Sequence, residues 1–249
     1  MTNTWQMSPT TGSPVLLRLG AVALAVSGWL FFLYPVVRPW RNEFTIGGAV
    51  ASMSSDAWVA AHLFAVFALI LMPQGLLGLC RQLAGSRGYG LMLTGTVAVW
   101  LGAGLALPYY GAQDFALHAL ARQVRSGTSL DLLRLVDAVR FGAAASGTFA
   151  AGLLLLGVGG VLIAISIWRT AVLPRFSGVP LAFGLVLFIP QFYLPARARI
   201  AHGIAVGVAL VLLAVVLWAS TRVRTARHAE ALPAPADSRS RRLRLGEAR

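Results

Sequence analysis

The 249-residue chain has no lysine, one cysteine, eight acidic residues and no basic side chain before Arg18. The single cysteine, Cys80, excludes an internal disulfide, CxxC thiol chemistry and a CxxCH haem attachment. Charged residues make up 12% of the chain, whereas a soluble globular protein carries about 25%. With 57% hydrophobic residues and a mean hydropathy of +0.74, the composition calls for a bilayer as solvent. A cleaved signal peptide needs a basic segment ahead of its apolar core, and residues 1–17 hold none. The first hydrophobic run is therefore expected to stay as a helix. HExxH, GxSxG and Walker motifs are absent, and no two acids share a hydrophobic run. That argues against a metalloprotease, an α/β-hydrolase, a P-loop enzyme or a carboxylate-driven intramembrane reaction.

Six apolar runs are present. Ala57–Cys80, Gly88–Gln113, Phe141–Trp168, Phe176–Ala196 and Ile200–Thr221 are uncharged and long enough for about 30 Å of hydrocarbon; Leu19–Val37 is slightly shorter. The expected fold is all-α: a polytopic membrane protein with six transmembrane helices in residues 19–221. A short tail (1–18) would precede them and a basic, disordered one (222–249) would follow. That last stretch holds eight arginines against three acids, 8 − 3 = +5, among alanines and prolines. Its charge follows the preference of arginine for the cytoplasmic side, so nucleic acid is not expected as a partner. Arg81, Arg87, Arg169 and Arg175 fall in the two short loops on the same side, and the five acids before residue 222 fall on the other. These features place the protein in the plasma membrane with both termini cytoplasmic.

Small residues mark expected helix contacts. The candidate rows are Ala21, Ala25 and Gly28; Gly90, Thr94, Ala98, Gly102 and Ala106; Ala143, Gly147 and Ala151; and Gly203 with Gly207. Between the third and fourth runs, Asp114, His118, Arg122 and Arg125 form one polar stripe at helical spacing. Thr128 and Asp131 resemble a capping box, and Asp131, Arg134, Asp137 and Arg140 recur every three residues. This is an amphipathic extracytoplasmic segment of two helices, an interfacial elbow or a lid over a cavity.

Most polar groups at membrane depth gather at the outer helix ends. Trp58, Tyr109, Tyr110 and Tyr193 suit an aromatic belt. His62 and His202 lie within spans, where ionisable groups are costly and point to function. The candidate ligand-binding set is His62, Tyr110, Arg140, Gln191, Arg197, Arg199 and His202, forming an outward-facing pocket for an amphiphile: a lipid, an isoprenoid or a quinone-like molecule. The arginines would meet an anionic head group, and membrane lipids are natural partners. Two other readings fit the residues. His62 and His202 are the one pair able to ligate a b-type haem. Pro73-Gln74 and Pro190-Gln191, late in the second and fifth runs, suggest helix breaks of a small inverted-repeat transporter, but no charge lies near the midplane to couple ions.

The order YPVVRPW, SSDAWVAAHLF, AISIWRTAVLPRFSGV and FIPQFYLPARARIAHG resembles a class of uncharacterised six-helix integral membrane proteins of actinobacteria, over residues 19–221. The resemblance implies the six-helix architecture and assigns no reaction or catalytic residue.

Overall fold

The structure, a computed structural model, describes residues 14–170 and 172–230, with side chains described to Arg222. Nine α-helices follow in order: α1 (Pro14–Val37), α2 (Ile46–Met53), α3 (Asp56–Gln82), α4 (Tyr89–Gly111), α5 (Leu117–Arg125), α6 (Leu132–Phe141), α7 (Ala143–Thr170), α8 (Val179–Val186) and α9 (Ala196–Glu230). A π-turn, Ala112–Ala116, joins α4 to α5, and a 3-10 turn, Pro190–Tyr193, follows α8. No strand is present among the described residues.

Five helices are long and apolar enough to cross a membrane: α1, α3, α4 continued through the π-turn into α5, α7 and α9. The run expected over Phe176–Ala196 is different. It forms only the eight-residue α8, then turns and the 3-10 segment. Pro190 contributes to this break, since it has no backbone N–H to donate and fixes its own φ. The segment nevertheless runs antiparallel to α7. Gly178 lies against Ala164, Gly160 against Ala182 and Leu185, and Phe192 against Phe149. Ala164 and Phe149 are fifteen residues apart on α7, roughly 22 Å at 1.5 Å per residue.

The other boundaries also differ from expectation. α1 begins at Pro14 rather than Leu19, and the α9 backbone continues past Thr221 to Glu230. The rest of the expected basic tail, from residue 231, lies outside the described residues.

At what we call the upper end, α1 and α4 finish and α3, α7 and α9 begin. Tyr34, near the end of α1, has its ring against His62 of α3 and Tyr110 of α4. Tyr109 stacks on Phe149 of α7 at 4.0 Å, and the Arg199 guanidinium of α9 lies over Trp40. The lower end carries Arg81, Arg87, Arg169 and Arg175, all exposed.

The helices pair through glycine. α1 packs along both α3 and α9, and α4 along α7. Gly28 faces the carbonyl of Gly207, Gly20 faces Gly78, and Gly203 meets Pro35. The rows expected on α1 and α9 therefore sit at contacts, although Ala25 is only half-buried. On α4 the expected row sits at the contact with α7 only in its later part: Gly102 and Ala106 are buried there, whereas Gly90 and Thr94 are exposed. On α7 the expected Ala143, Gly147 and Ala151 are exposed, and Gly152 and Gly159 make the close approach to Gly102 and Gly95. Gly95 and Gly102, like Gly152 and Gly159, are seven residues apart, about two helical turns.

The short helices form a cap over the upper end. Leu117 and Ala121 of α5, Leu132 and Val136 of α6, and Ala49 and Met53 of α2 join Trp58 in a small second core. His118 Nδ1–H donates to the Met53 carbonyl at 2.7 Å, which ties α5 to α2. Asp131, rather than Thr128, caps α6 by accepting from the Arg134 amide. Asp114, expected in the exposed stripe with Arg122 and Arg125, is fully buried in the π-turn.

Candidate functional site

A cavity of about 740 Å³ opens between this cap and the upper ends of α1, α3, α4, α7 and α9. Its size is in the range of small-molecule sites. The floor is aromatic and aliphatic: Tyr34, Tyr110, Phe149, Phe192, Leu153 and Ile189. Leu153 is ten residues into α7, so the floor lies roughly 15 Å below the first residue of that helix. The mouth is charged. Arg38, Arg41, Arg140 and Arg199 line it with Glu43 and Asp137.

Glu43 organises the mouth. Its Oε1 accepts from Arg38 Nη2 at 2.6 Å and its Oε2 from Arg140 Nη2 at 2.8 Å. Arg140 also donates Nε (3.1 Å) and Nη2 (2.9 Å) to Gln113 Oε1, an arrangement that a lysine has no planar fork to make. Arg38 lies over the rings of Trp40 and Trp58, 4.4 and 4.9 Å from their centroids. Arg199 lies over Trp40 and Phe192, at 5.0 Å from each. The indoles are themselves fixed, Trp40 Nε1 to the Pro35 carbonyl and Trp58 Nε1 to the Gln113 carbonyl, both at 2.8 Å. Aromatic faces stabilise a guanidinium by about 0.5–2 kcal/mol each, more when desolvated, and hold it without neutralising it.

Four of the expected site residues line this cavity: His62, Tyr110, Arg140 and Arg199. Gln191 is buried behind the lining and accepts from Arg199 Nε at 3.3 Å, so it orients that arginine. Arg197 is exposed and does not line the cavity. His202 is turned elsewhere. Its Nε2–H donates to the Gly184 carbonyl at 2.8 Å, and its ring packs on Phe188. α8 stops at Val186, and the Phe188 amide bonds to Leu185, so the carbonyl of Gly184 is left for a side chain to satisfy.

The pairing of His62 with His202 expected for a haem ligand set is not brought about. No contact joins the two rings; α1 packs along both α3 and α9, which touch each other only slightly. His62 Nδ1–H donates to the Trp58 carbonyl at 2.7 Å, and its ring is enclosed by Trp58, Tyr34 and Tyr110. In the neutral ring Nε2 is then the acceptor. Two of the four expected belt residues are interior: Trp58 is fully buried and Tyr110 nearly so, while Tyr193 is 88% exposed. The Pro-Gln pieces are not equivalent either. Pro73 sits inside the continuous α3 with Gln74 exposed, whereas Pro190 opens the 3-10 turn with Gln191 buried.

The sequence reading missed Tyr34, Arg38, Trp40, Glu43 and Gln113. All but Gln113 belong to the stretch YPVVRPWRNE, where two aromatic residues, two arginines and one acid close a hydrophobic run. That density of groups able to hold one another was the available signal.

Compared with known proteins, the chain matches no protein-family description, no curated protein and no solved structure.

Proposed function

We propose that the protein is a six-crossing plasma-membrane protein whose upper end faces outward and receives an amphiphile with an anionic head group. The observation that carries this reading is the cavity itself: an aromatic and aliphatic floor between the long apolar helices beneath a mouth of four arginines and two acids, 4 − 2 = +2. An apolar chain gains about 25 cal/mol per Å² of surface buried on the floor. The arginines supply charge-assisted donors for carboxylate or phosphate oxygens. A lipid or an isoprenoid with an acidic head fits both halves. A quinone-like ring fits the floor and leaves the charge unmatched.

The sixth crossing is the α8 and 3-10 segment. Its length along α7, and the need to join the lower end of α7 to the upper start of α9, support it. The exposed arginines of the lower end support a cytoplasmic placement of that end and of both termini. Backbone outside a regular helix is tolerated at membrane depth where protein buries it, and this segment packs on α7 and α9.

Native mass spectrometry of the protein extracted in mild detergent tests the reading. The expected spectrum shows one anionic amphiphile bound per chain, identified by fragmentation. Unliganded protein after gentle extraction contradicts the reading. A bound haem mass with a Soret band replaces it with the haem alternative.

A further inference from the structure

We infer that Glu43 is a built-in occupant of the head-group site, and that the ligand it stands in for carries a phosphate-type head bearing two negative charges. The inference rests on the amphiphile pocket proposed above and names its ligand chemistry.

The geometry supports it in three ways. First, the two Glu43 oxygens separately engage two arginines from different elements, Arg38 at the end of α1 and Arg140 of α6. A phosphate monoester presents three oxygens and can span the same two guanidinium groups with one left over. Second, donors remain unused around that carboxylate. Arg38 is 7% exposed, and its buried Nε has no hydrogen-bond partner among the described residues. Arg199 is held by Gln191 and by aromatic faces, with no carboxylate on it. Third, the mouth keeps a formal charge of +2 with Glu43 in place and +3 with it withdrawn. A monoanionic carboxylate restores the +2 that Glu43 already gives, whereas a dianionic phosphate lowers the charge further, to +1.

Glu43 also occupies a suitable place for a displaceable group. It lies in the irregular stretch between α1 and α2, next to Phe44, which is 90% exposed. In this arrangement an internal carboxylate bridges two of the mouth arginines. The head group enters by exchanging with it, and the aromatic clamps keep Arg38 and Arg199 in position through the exchange.

The test is calorimetric titration of the full chain in neutral maltoside micelles at pH 7.5 with dodecyl phosphate, dodecanol and inorganic phosphate, each as the probe. Wild type should bind dodecyl phosphate roughly tenfold or more tighter than either control. Glu43→Gln removes the competing charge and should tighten dodecyl phosphate binding by about tenfold while leaving dodecanol unchanged. Glu43→Asp keeps the charge on an arm one methylene shorter, unable to reach both arginines, and should tighten binding in the same direction. It serves if the glutamine variant fails to fold. Unchanged or weaker dodecyl phosphate binding in a folded variant overturns the role given to Glu43. Equal binding of inorganic and dodecyl phosphate keeps the phosphate head but assigns it to a free ion, which removes the amphiphile reading. Failure of both dodecyl probes to bind wild type overturns that reading and this inference together.

Discussion

Asp114 is fully buried in the π-turn between α4 and α5, and neither carboxylate oxygen has a hydrogen-bond partner among the described residues. An unpaired buried polar group costs about 1–3 kcal/mol, more if charged. Asp114→Leu is therefore expected to raise stability by about 1–3 kcal/mol, read as a higher melting temperature in detergent. A lower melting temperature would mean that the carboxylate has a working partner, such as a bound cation. In sequence Asp114 read as one of four exposed stripe residues. The stripe was drawn at α-helical spacing, but the π-turn adds a residue to the local repeat and redirects the side chain. His202 shows the same limit. Its identity marked it as a ligand candidate, yet its ring serves the carbonyl that α8 leaves free at Gly184. His62 was legible as an ionisable group inside a hydrophobic run, and Tyr110, Arg140 and Arg199 as polar groups at or near the border of one. Arg38 and Glu43 were hidden because their value lies in a bond between them, which composition does not show.

At the scale of elements, the hydrophobic runs gave the long helices and left their faces undetermined. Rows of small residues exist on more than one face of α4 and α7, and only packing selects between them. The selected seam brings Gly102 and Gly152 backbone to backbone. A Cβ on Gly102 would stand 2.6 Å from the Gly152 carbonyl oxygen, while one on Gly104 would meet nothing within 4 Å. Gly102→Ala should therefore destabilise the bundle by about 1–3 kcal/mol through overpacking. Gly104→Ala should be neutral or stabilising by up to about 1 kcal/mol, from helix propensity. Thermal unfolding of the two variants side by side checks this. Equal effects would place the seam elsewhere. The fifth run was the one whose form was misjudged. Hydropathy counts apolar residues and does not register that Pro190 and the turns before it interrupt the hydrogen-bond ladder.

For the whole molecule, the account needs that interrupted segment to cross. Arg175 and Tyr193 flank it, and both are exposed. In a Cys80→Ser background, Tyr193→Cys should react with a membrane-impermeant maleimide on intact cells, and Arg175→Cys only after the membrane is opened. Labelling of both from the same side would remove the sixth crossing and reverse the placement of one terminus. The architecture also sets the pocket's chemistry. Five helix ends and a three-helix cap converge at the upper end, so aromatic rings from α1, α4, α7 and the 3-10 turn form one floor, while arginines from the stretch after α1, from α6 and from α9 form one mouth. Neither half lies within a single stretch of sequence.

The most direct measurement of the central claim compares native mass spectra of wild type and Ala150→Trp, extracted and handled identically. Ala150 lines the cavity, and an indole there occupies the space assigned to the ligand's chain. The account predicts one anionic amphiphile bound per wild-type chain and none, or nearly none, on a folded Ala150→Trp variant. The same adduct at the same occupancy on both proteins would contradict it.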